Sequence, residues 1–331
     1  MSKPFSRPKV PAGACEFGWQ YWNALYQEFN TSGWRSEERW QLAALHSKHS
    51  LNALARWVVG GLKAAGTSAK VSAESFWIDG TPQVQGYLPS GKKLAQCELA
   101  DLLFIVNQMD MTGKLVNRTG VLLQGKTVKR HDALPSNPST KKERLLLEGL
   151  CRTRPLSVYR DVNLTGHIGD YTFGIGTGLR DCARYLMMPK KANWCPGCTP
   201  CEPLQIGWPK NRSSNSIAPT TSFLAAMRDL AISGTVGRVI RDKGPAAACE
   251  WSRLVWDLLG DFKPGPMTGY GGQSRANSSN VMSFMGSNYD GYVEDPPAPP
   301  PELLSSLDVP PAISVIQVNI RTFPIDQRPV G

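Results

Sequence analysis

Two apolar runs face each other across a short turn: Cys97-Glu98-Leu99-Ala100-Asp101-Leu102-Leu103-Phe104-Ile105-Val106 and Thr119-Gly120-Val121-Leu122-Leu123-Gln124-Gly125-Lys126-Thr127-Val128. Each is too short for a typical helix and rich in aliphatic residues, and Met111-Thr112-Gly113-Lys114 between them supplies turn chemistry. The pattern predicts a β-hairpin of strands 99–106 and 119–128. If the turn is symmetric between Thr112 and Gly113, Asp101 lies directly opposite Gln124, with Cβ atoms about 5 Å apart. Lys126 is two residues beyond Gln124, so strand alternation keeps it on the same face. Three polar groups in otherwise apolar strands are costly to bury unless they serve one another or a ligand. A carboxylate can bind a divalent cation and an amide oxygen can assist it. A lysine can orient a nucleophilic water and balance charge on a phosphate. Together these are the parts of phosphodiester hydrolysis. The plainer alternative is an ordinary hairpin with one salt-bridged Asp/Lys pair.

The stretch from Cys97 to Val106, followed by Gly120-Val-Leu-Leu-Gln-Gly-Lys126, resembles the PD-(D/E)xK nuclease superfamily in its QxK variant. The resemblance implies an α/β (α+β) fold, a restriction-endonuclease-like mixed sheet flanked by helices. It implies Asp101 as the metal-binding aspartate, Gln124 and the carbonyl of Gly125 as supporting groups, and Lys126 as the catalytic lysine. The superfamily often adds an acid from a preceding helix. Glu38 is one candidate, and Glu98, closer in sequence, is preferred as a further catalytic and metal ligand. Glu98 is three residues from Asp101, so it needs a bulge or a strand start to share its face. The implied cofactor is Mg²⁺ or Mn²⁺, and the implied partner is nucleic acid, DNA more than RNA. Similar motif pairs occur in bacterial and phage defence proteins, which makes a homo-oligomer or a larger defence complex an expectation by association. The alternative of another class is a catalytically inactive nucleic-acid-binding or assembly subunit with the same fold.

Charge is compatible with such a partner. The 331 residues carry a formal charge of +10, and the segment 114–160 holds eleven Lys/Arg against three acids. Such an excess favours a polyanion, though a solvated basic face would look the same. Lys129, Arg130, Lys141 and Lys142 are the expected backbone contacts.

Elsewhere, Trp19, Trp22, Tyr26 and Phe29 recur at 3–4 spacing and predict a helix over 16–30, its aromatics packing a core. A longer helix is expected from Ser36 past His46 and His49 to Gly60-Gly61 or Gly66. Short strands are expected at 74–78, 82–87, 156–159 and 171–175, and a good late strand at 313–322. Helices are expected at 141–150, 179–187, 221–232 and 246–259. These divide the chain into an N-terminal aromatic helix (1–34), a nuclease-like core (35–190), an insertion with helices (191–290) and a Pro-rich linker with a final strand (291–331). Eight cysteines without a visible secretion signal read as reduced thiols or metal ligands. Cys195, Cys198 and Cys201 form a CxxCxxC knot between turn residues, and Cys182 is one fourth ligand for a Zn²⁺ knuckle; a loop of reduced thiols is the other reading. With no signal peptide and no apolar run of membrane-spanning length, the default compartment is the cytoplasm.

Overall fold

The computed structural model describes residues 18–32, 36–46, 48–77, 82–160, 162–164, 166–190, 202–218, 220–232, 234–243, 249–260, 282–285 and 312–323. Cys195, Cys198 and Cys201 lie outside these residues. The predicted hairpin forms from β4 (Leu102–Met109) and β5 (Leu115–Val128). Its register pairs Leu102 with Leu123 and Phe104 with Val121, as a turn centred between Thr112 and Gly113 requires. Asp110 holds that turn, its carboxylate accepting from the backbone N–H groups of Thr112 and Lys114. A register shift at Gln108/Met109 lets β5 begin at Leu115.

Around this hairpin the chain builds a mixed sheet. Its other strands are β1 (Ser68–Trp77), β8 (Ala183–Pro189), β9 (Gln205–Gly207), β10 (Thr221–Ser222), β11 (Arg238–Val239), β12 (Met282–Met285) and β13 (Ser314–Phe323). The order is β10-β9-β8-β5-β4-β13-β1-β12, with β11 added to β5. β8 runs parallel to β5 and β13 parallel to β4, while the remaining pairs are antiparallel. The late strand therefore docks in the middle of the sheet, between β1 and β4. A smaller sheet has the order β3-β2-β6-β7, from β2 (Gln83–Gln85), β3 (Cys97–Glu98), β6 (Leu156–Tyr159) and β7 (His167–Tyr171).

Both faces of the main sheet are covered, which explains why its central strands read as unbroken apolar runs. One face buries Leu102, Phe104, Val121, Leu123 and Leu186. Against it pack α1 (Trp19–Ser32), α2 (Glu37–Leu45), α3 (Lys48–Ala64) and α5 (Phe223–Ile232). The opposite face buries Leu103, Ile105, Leu122, Tyr185 and Met187 under α4 (Pro138–Gly149), α6 (Glu250–Leu259) and the smaller sheet. No described helix is long and apolar enough to cross a membrane.

Several expectations change in detail. The long helix from Ser36 is two helices, α2 and α3, interrupted at His46. Residues 179–187 are not a helix, because most of them belong to β8, a strand buried along almost its whole length. The strand expected at 171–175 lies earlier, at β7. The helix after the lysine strand starts before residue 141: Asn137 caps it by accepting from Thr140 N at 2.8 Å, and Pro138 occupies the first turn.

Candidate active site

The site lies where β5 outruns its partner. β4 begins at Leu102, opposite Leu123, so Gln124 to Val128 project past it on that edge, while the other edge pairs with β8. Backbone N–H groups on such an edge need acceptors. Carboxylates supply them. Asp101, one residue ahead of β4, accepts from Gly125 N at 2.8 Å, and Glu38 accepts from Thr127 N at 3.1 Å. Gln124 Nε2 donates to the same Asp101 oxygen at 2.5 Å. The N–H and C=O of one extended residue point to the same side of a strand. The Gly125 carbonyl therefore faces the edge that Asp101 occupies.

Glu38 arrives on the first turn of α2, where Ser36 accepts from Arg39 N and caps the helix. An acid there is favoured by the helix dipole. The central residue of Gln-Gly-Lys must be small for α2 to approach this closely. A Cβ on Gly125 would lie 3.1 Å from Leu42 of α2 and 3.0 Å from the Met188 methyl. Glycine at this position thus sets the distance between α2 and the strand that carries Lys126.

Lys126 completes the cluster. Its Nζ lies 2.9 Å from Glu143 Oε2 and 3.8 Å from Glu38 Oε1, with side-chain exposures of 7%, 3% and 31% for Lys126, Glu143 and Glu38. Glu143 comes from α4 and falls on its buried stripe with Thr140, Leu146 and Leu147. Burial opposes the charge on Lys126, but Glu38, Asp101 and Glu143 outweigh it and hold the ammonium above the ordinary lysine range. Burial pushes the Asp101 carboxyl well above the usual carboxylate range. Lys126 opposes that shift, while Glu38, Glu98 and Glu143 add to it.

Asp101, Gln124 and Lys126 therefore come together as their spacing predicts. Glu38 joins them through the strand edge. Glu98 is on β3, paired with Gln83 of the smaller sheet, and reaches Asp101 through charge. The acid beside Lys126 is Glu143, one of the three acids within the basic segment 114–160. The signal for Glu143 was available: a carboxylate on the apolar stripe of an amphipathic helix requires a buried partner.

Lys129, Arg130, Lys141 and Lys142 are all exposed. Arg130 is engaged by Asp132 at 2.8 Å, and Lys141 lines a surface groove on the outer side of α4. Cys182 sits inside the core at 1% exposure, and burial pushes its thiol up, away from the thiolate that zinc requires. Among the described residues no three His, Cys, Asp or Glu side chains are arranged as a metal cluster.

A divalent cation is still tested by the donors that are present. Asp101, Glu38, the Gly125 carbonyl and the Gln124 amide are all hard oxygen donors, the type that Mg²⁺ takes. Gln124 Oε1 is buried with no hydrogen-bond partner. Asp101, Glu38 and Glu143 bring three carboxyl groups to one ammonium, and burial with the neighbouring acids pushes the Asp101 carboxyl up. These features fit a divalent cation. Compared with known proteins, the chain matches no family model, no curated protein and no solved structure.

Proposed function

We propose that the protein is a metal-dependent nuclease of restriction-endonuclease-like type, hydrolysing phosphodiester bonds, with DNA preferred over RNA by resemblance. The observation that carries this reading is the buried carboxylate of Asp101 beside the orphaned Gln124 Oε1, with Lys126 held charged two residues further along the same strand. The neighbours of the hairpin support it, because α4 follows the lysine strand and Glu38 comes from a preceding helix, as the superfamily resemblance implies.

Asp101, with Glu38, Gln124 and the Gly125 carbonyl, would hold Mg²⁺ or Mn²⁺. The ion would supply Lewis acidity toward a phosphate oxygen and a water of lowered pKa. The chain's own residues do the rest. Gly125 N and Gln124 Nε2 fix the Asp101 carboxylate in place. Glu143 and Glu38 fix the Lys126 ammonium, which orients water and offsets charge on the scissile phosphate.

The 2.9 Å Lys126–Glu143 contact favours one second reading, in which the ion pair is structural and the protein is a non-cutting nucleic-acid-binding or assembly subunit. The two are separated by incubating purified protein with plasmid and single-stranded DNA in Mg²⁺ or Mn²⁺, with and without EDTA. Cleavage that EDTA and Asp101→Asn both abolish supports the nuclease. DNA binding without cleavage in any of these conditions supports the subunit instead.

A further inference from the structure

A groove crosses the outer side of α4, away from the Asp101 cluster. It consists of two cavities that share Glu148 and Arg212. One, of about 600 Å³, is walled largely by apolar groups, including Leu88, Pro89 and Leu145, with Lys141 at its side. The other, of about 230 Å³, is cationic, with Arg180, Lys210 and Arg212 around Thr177 and Trp208. Leu145 is 47% exposed, unusual for a leucine on a helix that otherwise buries its apolar stripe.

The cationic end is built rather than incidental. Arg144 makes bonds of 2.6 and 2.9 Å to Glu148, neutralising the one acid in the groove. The same guanidinium donates to Asn215 Oδ1 and to the carbonyls of Asn211 and Arg212, fixing the loop that carries Lys210 and Arg212. On the other wall, Gly178 N and Leu179 N cap the Leu150 and Leu147 carbonyls at the end of α4, which fixes Thr177 and Arg180. Gly178 is required there, since its φ is +70° and a Cβ would lie 2.6 Å from Leu147 O. Arg212 donates to Thr177 Oγ1 at 2.5 Å across the groove. The neighbouring acid Asp181 is already held by Arg152 and Arg238. The result is a cluster of cations with no free acid among the described residues of its walls, sharing Glu148 and Arg212 with an exposed apolar hollow.

We propose that this groove binds single-stranded nucleic acid, with backbone phosphate at Arg180, Lys210 and Arg212 and an unstacked base against Leu88 and Leu145. A ligand matching both ends carries an anion beside an exposed apolar group, and a single strand does so while a duplex hides its bases. One buried residue, Tyr185, links the wall of the groove to the strand of the Asp101 cluster. That residue pairs in register with Gln124, donates to Glu148 at 3.3 Å and packs against Trp208. Both the groove and Glu143, which holds Lys126, thus belong to α4. The inference rests on nucleic acid being the partner, but not on cleavage.

The test is fluorescence anisotropy in EDTA, with a labelled single-stranded oligonucleotide and the matching duplex. Arg180→Ala combined with Lys210→Ala removes two exposed cations and should weaken single-strand binding about tenfold or more at about 100 mM salt. The salt slope should fall by about 1.4, since each single-strand phosphate contact contributes roughly 0.7. Leu145→Glu should weaken binding several-fold without altering the melting temperature. Unchanged affinity and slope in the double variant, or a duplex bound more tightly than the single strand, overturns the proposal. Cleavage that persists while the double variant binds normally would refute the groove and leave the active-site reading standing.

Discussion

Asp101→Asn gives the sharpest test of what the buried cluster is for. Asparagine keeps the shape and retains an oxygen that can accept from Gly125 N and Gln124 Nε2, so the edge of β5 stays capped. What it removes is a negative charge in a space where three carboxylates surround one ammonium. The folded pKa of Asp101 is raised, first by burial. Its contribution to stability is therefore full below the ordinary carboxylate pKa, about 4, and is lost as pH rises through the folded value. Without metal, the variant should melt higher than wild type at about pH 8, and the difference should shrink toward about pH 5. With Mg²⁺ or Mn²⁺ the order should reverse. A ligand at roughly a hundredfold excess over its Kd stabilises the folded state by about 2.7 kcal/mol. For a chain of this size that is roughly 4 °C in Tm for wild type, and close to zero for the variant. The assay is differential scanning calorimetry in EDTA and in metal at both pH values. A variant that melts lower than wild type in EDTA at about pH 8 would show that Asp101 is a stabilising partner of Lys126. A wild type whose Tm ignores metal would remove the ground for a cation.

The remaining expectations concern the neighbours of Asp101. Lys126→Met should abolish metal-dependent cleavage and destabilise the fold by about 3–5 kcal/mol at neutral pH, because it leaves buried carboxylates without their ammonium. That loss should diminish as pH falls and Asp101, whose carboxyl is pushed up by burial, takes up a proton, and a pH-independent loss in urea titrations would contradict it. Neutralising Lys129, Arg130, Lys141 and Lys142 together should weaken DNA binding and flatten its salt dependence, each phosphate contact contributing about 0.9 on duplex DNA. An unchanged slope would place the binding face elsewhere. Gly178→Ala should cost about 1–3 kcal/mol from its left-handed backbone, with the clash at Leu147 O adding to it, and a wild-type unfolding midpoint would refute the close approach.

The hairpin was legible because its signals are local and agree: turn residues, two short apolar runs and an alternation that fixes which side chains share a face. Asp101, Gln124 and Lys126 followed from that register alone. β8 was misread for a physical reason. Leu179, Cys182, Ala183, Leu186 and Met187 fall at helical spacing, yet a strand covered on both faces has no alternation to betray it. The break at His46 carries no proline or glycine, and its local supports, such as Ser50 Oγ donating to Ala44 O, are visible only once folded. The start of α4 had a signal in Asn137-Pro138 that outweighs the polar look of the loop before it. The central place of β13 could not be read at all, since its pairing with β4 joins segments some two hundred residues apart and depends on no local pattern.

The edge of β5 also argues about why these side chains are acids. Gly125 N and Thr127 N need acceptors, and an amide would serve. Asparagine at 101 and glutamine at 38 could make both bonds without placing charge in a buried space, and a buried carboxylate is the costlier choice. Capping the strand thus explains the positions of Asp101 and Glu38 but not their charge. Lys126 accounts for one negative charge, and Glu143, closest at 2.9 Å, already meets it. That leaves Asp101 with its pKa raised and Gln124 with a buried oxygen that has no partner. A divalent cation held by Asp101 and Gln124, as proposed above, would relieve both conditions at once. The excess of carboxyl groups over ammonium is therefore the feature on which the proposed metal site and the structural ion pair make different predictions.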